Sequence, residues 1–289
     1  MMTVPHPSSG MDLKLMYQDC TLCPRMCHAD RTSKTGFCRC TDEITAARAA
    51  LHFWEEPCIS GSGGSGTVFF SGCTLKCCFC QNYQISQEGF GKKISTEELA
   101  RIFLDLQEQG AENISLVTAD QYLPSVVSAL DLVKDRIRVP VVYNCSGYER
   151  LESLQLLSGY IDIFLPDLKY YDTGIAQKYS RAGDYFFYAS RAIPEMICQT
   201  GIPRFNQQGV LEKGVIVRHM VLPGQKADSI RLLHWMADHL EKGSFLLSLM
   251  SQYTPFYHAS DFPEINRRIT TYESVSYTHL RAHETCADL

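Results

Sequence analysis

The stretch "SGCTLKCCFCQNYQIS", residues 71–86, decides the fold, because it places Cys73, Cys77, Cys78 and Cys80 directly after an apolar run, TVFF. Cysteines this close cannot easily pair as disulfides. A structural zinc site normally pairs its cysteines more evenly. The uneven spacing x3 then x2 indicates three thiolates that hold three irons of a cubic cluster and leave the fourth iron open. Cys78 is expected to be a buried free thiol, since the loop already brings three sulfurs to one point.

Amino-acid composition limits the classes of protein to which this chain can belong. The 289 residues suit one large domain with a small appendage, and 45% hydrophobic residues support a sizeable core. A net charge of −5 argues against nucleic-acid binding through phosphate neutralisation. The sequence shows no apolar run of membrane-spanning length and no signal pattern, so we expect a cytoplasmic protein. Thirteen cysteines, mostly clustered early in the chain, favour metal ligation in a reducing compartment.

Strand and helix patterns alternate after the first cysteine-rich region, and the helix at 95–110 opens with a Ser95/Glu98 capping box. The strands are continuously apolar, as in a parallel sheet covered on both faces. The pattern predicts an α/β fold, either an open wound sheet or a partial barrel, with ligands at the carboxyl ends of the strands. The predicted strands are 67–72, 113–118, 139–147, 161–169, 214–224 and 244–252, and the predicted helices are 95–110, 124–135, 148–159, 175–199 and 227–243.

The cysteine spacing, with Phe79 before the last cysteine, resembles the signature of radical S-adenosylmethionine (SAM) enzymes. "CQNYQIS", "LPDLK" with Asp167 and Lys169, and "VRHMVLPG" with Arg218 are similar to segments of the pyruvate formate-lyase activating enzymes. "CTLCPRMC" resembles the N-terminal block of the activating-enzyme homologues. The resemblance runs from about residue 20 to 273. It implies a partial (β/α)6 barrel at 67–273, preceded by a cysteine-rich extension and hairpin region at 1–66.

The resemblance also implies cofactors and roles. Cys73, Cys77 and Cys80 would ligate a [4Fe–4S] cluster that binds SAM, and a reduced flavodoxin or ferredoxin-type donor would supply the electron. SAM would be cleaved to methionine and a 5′-deoxyadenosyl radical. Implied SAM contacts are Phe79 against the adenine, Asn144 and Asp167 at strand ends, and the cations Lys169 and Arg218.

Alternatives remain open for three parts of the predicted SAM site. Asp167 and Lys169 could form a surface pair, and Arg218 could be solvated, although a charge inside an apolar strand is costly without an anionic partner. The Gly-Gly-Glu turn that meets the SAM amino group in many of these enzymes is replaced by residues 118–121, TADQ, where Thr118 or Asp120 could substitute.

A second metal site is predicted in the N-terminal block. Cys20, Cys23 and Cys27, with Cys38 or Cys40 downstream, supply four thiolates suited to zinc or to an iron–sulfur cluster. The alternative is a set of free thiols. The adjacent His28 is interpreted as a bystander.

Two further segments carry weaker expectations. Glu55 and Glu56, before a proline, predict a solvated turn, with a role near the substrate as the alternative. The stretch from residue 274 to 289 shows no periodicity and no cap, and we interpret it as a non-native tail. His279 and His283 within it have the spacing of a metal pair, which we attribute to chance.

The leading functional hypothesis is a radical SAM enzyme that activates or modifies a protein. A radical SAM enzyme acting on a small molecule is the second hypothesis. A non-catalytic, cysteine-rich metal-binding protein is the alternative from a different class. Nucleic-acid and membrane partners are not expected.

Overall fold

The protein is seen in a computed structural model that describes residues 12–273, so the predicted tail from residue 274 lies outside the described part. The strands are β1 (Thr45–His52), β2 (Ser65–Phe70), β3 (Lys92–Lys93), β4 (Asn113–Val117), β5 (Val141–Cys145), β6 (Ile163–Pro166), β7 (Arg204–Phe205), β8 (Leu211–Met220) and β9 (Leu246–Met250). The helices are α1 (Pro57–Ser60), α2 (Tyr83–Ser86), α3 (Thr96–Glu108), α4 (Leu123–Val133), α5 (Leu151–Leu156), α6 (Thr173–Ser180), α7 (Tyr185–Thr200) and α8 (Lys226–His239).

Six parallel strands form the centre of the molecule. These strands lie side by side in the order in which they occur along the chain, and each neighbouring pair is parallel. They are β2, β4, β5, β6, β8 and β9. α3, α4, α5, α7 and α8 fall between or beside successive strands along the chain. This arrangement confirms the predicted α/β fold with a partial (β/α)6 barrel. Within the described residues, no helix is both long and apolar enough to cross a membrane.

The N-terminal extension shares the sheet of the barrel. β1 pairs antiparallel with β2, as the hairpin prediction required, and β3 extends the same edge beyond β1. The predicted division between residues 66 and 67 therefore lies inside β2. β7 is a short antiparallel neighbour of β8 that the sequence pattern did not predict.

Two predicted helices differ from those observed. The helical region predicted at 175–199 is two helices, α6 and α7, because Arg181 adopts a left-handed conformation (φ 52°) that ends α6. The helix predicted at 148–159 is shorter, because Arg150 is extended (φ −88°, ψ 145°) and α5 begins only after it. The capping box of α3 is confirmed, since Ser95 and Glu98 bond to each other's backbone amides.

α1 closes the interior of the barrel. Its buried Cys58 and Ile59 pack with apolar side chains from the barrel strands, including Leu165 and Ile216. Asn113, at the start of β4, donates from Nδ2 to the Ile59 carbonyl at 2.7 Å. The connection from β1 to β2 is thus anchored inside the barrel, which brings its acidic residues close to the strand ends.

Candidate functional site

The cysteine loop follows β2 directly. The chain turns at Gly72, which has a positive φ of 84° and where a Cβ would fall 2.1 Å from the Cys40 Sγ, so a side chain there would clash. Gln121 holds this turn, since its Nε2 donates to the Ser71 carbonyl at 2.9 Å and to the Thr118 carbonyl at 2.8 Å. The TADQ segment therefore positions the start of the loop.

The three predicted ligands are free, partly exposed thiols on this loop. Ser180 Oγ donates to Cys77 Sγ at 2.9 Å, and Cys80 Sγ lies 3.2 Å from the Ser86 hydroxyl. The Leu75 amide donates to Cys73 Sγ at 3.4 Å. Hydrogen-bond donors directed at sulfur are typical of thiolate ligands, whose charge they stabilise.

The chemistry of the loop fits an iron–sulfur cluster better than one metal ion. Burial raises the pKa of the Cys73 and Cys77 thiols, and a bound metal would favour their ionised form. No three metal-binding side chains in residues 12–273 converge on a single-ion site. A cubic cluster instead takes one thiolate on each iron, which spreads the ligands apart. Cys78 is buried among apolar side chains, as expected of a free thiol.

The polar residues predicted at the strand ends come together around Arg218. Its guanidinium lies 2.9 Å from Asp167 Oδ1, 3.0 Å from Glu55 Oε1 and 2.8 Å from Asn144 Oδ1. Lys169 Nζ is 2.5 Å from the other oxygen of Asp167. Two cations thus face two carboxylates at the carboxyl ends of β5, β6 and β8, where ligands bind in barrels of this kind.

The network is buried, so the surface alternatives for these residues are wrong. The side chains of Asp167 and Lys169 are 19% and 20% exposed, and that of Arg218 is 13% exposed. Burial by itself would raise the pKa of Asp167, but Arg218 and Lys169 outweigh it and hold this pKa below its usual value. Asp167 is therefore an ionised carboxylate at neutral pH.

Glu55 corrects the expectation of a solvated turn. Its side chain is 12% exposed, and besides its ion pair with Arg218 it accepts from Asn144 Nδ2 at 2.9 Å. Glu56 accepts from the Ser248 hydroxyl on β9 at 2.8 Å. The sequence signal was the pair of acids before Pro57, but their partners lie 89 to 192 residues away and local reasoning could not identify them.

Phe79 belongs to the cysteine loop and lines a cleft together with Asp167 and Lys169 of this network. It is buried and contacts the Tyr253 ring edge-on at 5.7 Å, and the cleft, of about 40 Å³, is also lined by Met220 among others. The aromatic ring and the lysine suit the adenine and the carboxylate of SAM, and the Cys77 thiol lies within electrostatic range of that lysine. The residues present therefore fit the cluster and cofactor that the motif implies.

Asp120, which could have met the SAM amino group, lies inside the protein and does not have the environment of a ligand-binding acid. It is fully buried and accepts from the Tyr143 hydroxyl at 2.6 Å. Burial raises the pKa of Asp120 and of the neighbouring buried Glu149. The sequence did not single out Glu149, and burial favours the neutral form of both acids.

The predicted N-terminal thiols lie within electrostatic range of one another and differ in exposure. Cys20 and Cys38 are buried, whereas Cys23 and Cys27 are more exposed. The lack of a single-ion site in the described chain does not support the zinc form of the prediction. The neighbouring His28 forms an exposed pair with Asp19 at 2.8 Å, consistent with a bystander.

The radical SAM superfamily model matches residues 67–236, more than half of the chain. Together with the parallel barrel and the cysteine loop, this match shows that the chain belongs to the radical SAM superfamily. The superfamily supports a SAM-binding enzyme with a [4Fe–4S] cluster.

The chain is also similar to individual proteins. The chain is 29% identical to the uncharacterized protein MJ0674 of Methanocaldococcus jannaschii over 280 residues, covering 92% of this chain and 76% of that protein. Among solved structures it is similar to methylornithine synthase (PylB), with TM-score 0.48, 15% identity, and coverage of 74% of this chain and 60% of that one. It is also similar to Streptococcus suis SuiB bound to precursor peptide SuiA, with TM-score 0.46 and 13% identity. The alignment covers 73% of this chain and 44% of SuiB.

Proposed function

We propose that this protein reductively cleaves SAM at a cluster held by Cys73, Cys77 and Cys80, and that it activates or modifies a protein or peptide, as an activating enzyme does. The observation that carries the chemistry is the loop of three free thiols, each with a hydrogen-bonding partner, beside a buried and charge-balanced network. When bound, the cluster would supply one electron that breaks a carbon–sulfur bond of SAM and yields methionine and a radical that abstracts hydrogen.

The residues of the chain would bind and orient the cofactor. Lys169 is the cation nearest the cleft of Phe79, and its ammonium group suits the methionine carboxylate. Arg218 is engaged by Asp167 and Glu55, so its role would be to hold Asp167 in place beneath the cofactor. The apolar side chains around Phe79 would exclude water from the reacting bond.

The polar network beneath the cleft favours a macromolecular substrate. At about 40 Å³ the cleft is far below the roughly 300–1,000 Å³ typical of small-molecule sites, so its side chains must move to admit SAM. The Glu55 network fills the barrel beneath it, which leaves little room for a second small molecule. A loop of a protein or peptide could reach the cleft from outside, whereas a small-molecule substrate would need a further enclosed space.

A basic cleft beside the cysteine loop suits the electron donor. Arg39, Lys76, Lys178 and Arg181 line it together with Cys78, and its volume is about 280 Å³. Flavodoxins and ferredoxin-type proteins present acidic surfaces, which such a cluster of cations would attract and orient. Docking there would place the donor against the loop that carries the cluster.

The test is an anaerobic reconstitution with iron and sulfide, followed by reduction and assay of 5′-deoxyadenosine formed from SAM. We expect formation in the wild type and none in a variant with Cys73, Cys77 and Cys80 all changed to Ala. Equal yields from the two proteins would refute the proposed chemistry. A non-catalytic metal-binding protein would bind iron but form no 5′-deoxyadenosine.

A further inference from the structure

Two of the N-terminal thiols face a point beside Gly36. A Cβ built on Gly36 would lie 3.3 Å from Cys27 Sγ and 3.5 Å from Cys38 Sγ, so both sulfurs face the same point. The Cys23 thiol lies within electrostatic range of those of Cys20 and Cys38. Four thiols from a stretch of nineteen residues, 20–38, are thus gathered on one side of the extension.

A buried cation lies against these thiols. Arg31 is fully buried, and its NH1 lies 3.7 Å from Cys20 Sγ. Its other bonds go to neutral carbonyls of Cys40, Thr41 and Gln121. Within residues 12–273 it has no carboxylate at ion-pair distance. Burying a guanidinium without a counter-charge costs free energy. A negatively charged group at the thiols would offset this cost.

We propose that Cys20, Cys23, Cys27 and Cys38 hold a second iron–sulfur cluster, whose negative charge Arg31 stabilises. Four thiolates on a cubic cluster give a net anion, which supplies the missing partner of the guanidinium. The thiols do not converge as a tetrahedral zinc site requires. A cluster with one iron for each sulfur suits their wider placement.

The structure gives Cys38 and Cys40 different surroundings, which the sequence could not do. Cys38 Sγ faces the point beside Gly36 together with Cys27 Sγ. Cys40 Sγ is within reach of the Cys38 thiol but lies 3.3 Å from the Ser71 carbonyl, at the start of the SAM-cluster loop. Arg25, between Cys23 and Cys27 in sequence, donates to the Thr74 carbonyl of the same loop at 2.9 Å. The second cluster would therefore lie directly behind the first, in an extension that is bonded to the loop.

The test uses the full chain with Cys73, Cys77 and Cys80 changed to Ala, so that it does not depend on the proposed function. After anaerobic reconstitution we expect about four irons and four sulfides for each chain. Cys38→Ser added to this background should lose them, whereas the matched Cys40→Ser should retain them. Circular dichroism of both variants shows whether a loss reflects unfolding.

Several results would overturn the proposal. Zinc bound without sulfide would show that the ligand class is wrong. The absence of metal from a folded triple variant would show a set of free thiols. Equal iron loss in Cys38→Ser and Cys40→Ser would refute the ligand assignment.

Arg31→Gln gives an independent readout. Loss of the adjacent positive charge disfavours the more negative, reduced state of the cluster, so its reduction potential should become more negative. Arg31→Lys, which keeps the charge, should restore much of the potential. A potential unchanged in Arg31→Gln would contradict the pairing of Arg31 with the cluster.

Discussion

Individual side chains in the cysteine loop have separable roles. Cys77 accepts a hydrogen bond from Ser180, whereas the adjacent Cys78 is buried in the apolar core. Neighbours in sequence therefore point into different environments, and substitution of each tests the assignment directly.

Cys77→Ala should remove the SAM-cleaving cluster, because two remaining thiolates hold a cubic cluster poorly. Cys78→Ala is the matched control and should leave it intact, apart from a stability loss for the buried sulfur. Iron content and 5′-deoxyadenosine yield would be measured for both variants in a background where the N-terminal cysteines are changed. Similar losses in the two variants would contradict the ligand set.

His219 should make stability depend on pH. It is buried on β8 between the Leu168 carbonyl at 2.6 Å and the Ser229 hydroxyl at 2.8 Å, and burial lowers its pKa to about 4. The unfolded histidine titrates near pH 6.5 and binds the proton more readily than the folded one. The contribution of His219 to the free energy of unfolding is therefore fully present above pH 6.5. It decreases as the pH falls from 6.5 toward 4, by about 1.4 kcal/mol for each pH unit.

The measurement is the free energy of unfolding of the wild type and of His219→Gln between pH 4.5 and 7.5. Gln keeps a donor and an acceptor but cannot titrate, so the difference between the two curves should shrink as pH falls. Parallel curves would mean that His219 does not carry the pH dependence.

At the scale of elements, the connection from β1 to β2 is part of the site. α1 is held inside the barrel by the Asn113 bond to Ile59, and Glu55 is thereby placed against Arg218 and Asn144. The segment that was predicted as a solvated turn closes the barrel and completes its charge balance.

Glu55→Ala should lower the free energy of unfolding by about 1.5–3 kcal/mol, because it leaves buried Arg218 with one fewer counter-charge. Glu56→Ala, next in sequence, loses one hydrogen bond from Ser248 and should cost about 0.5–1.5 kcal/mol. Urea denaturation of both variants provides the comparison. A larger loss for Glu56→Ala would show that the Glu55 network is not the stronger anchor.

Over the whole molecule, charge is unevenly placed. The chain carries a net charge of −5, yet the cleft beside the cysteine loop is lined by four cations and one acid, namely Arg39, Lys76, Lys178, Arg181 and Asp261. Lys178 is also paired with Glu264. An acidic partner would be repelled by the average surface and attracted to this cleft, which favours one docking orientation.

Lys178→Glu combined with Arg181→Glu should slow reduction of the cluster by flavodoxin by roughly tenfold or more at low salt, with the effect shrinking as salt rises. Reduction by photoreduced deazaflavin, a small neutral reductant, is the control and should be unchanged. Glu97 and Glu108 line a separate cleft, and Glu97→Gln with Glu108→Gln should leave the flavodoxin rate unchanged. Equal rates for the wild type and the charge-reversed variant would place the donor elsewhere.

The sequence by itself determined the class of this protein. Apolar runs of strand length, alternating with capped amphipathic helices, predict a parallel barrel because burial on both faces requires them. The spacing of Cys73, Cys77 and Cys80 is local, so it identified the cluster loop without tertiary information. Asn144, Asp167, Lys169 and Arg218 could be named because they match motifs of the family that the sequence resembles. Their positions at strand ends supported the choice, since the ends of parallel strands meet at one edge.

Only the tertiary structure decided which groups neutralise one another. Glu55 meets Arg218 across 163 residues, and buried Arg31 meets Cys20 in a fold whose loop geometry no periodic pattern records. The choice between Cys38 and Cys40 depends on the direction of two side chains that are only two residues apart. Such pairings are set by chain reversals in irregular segments, where sequence propensity is weak and long-range packing and the cost of burying charge select the conformation.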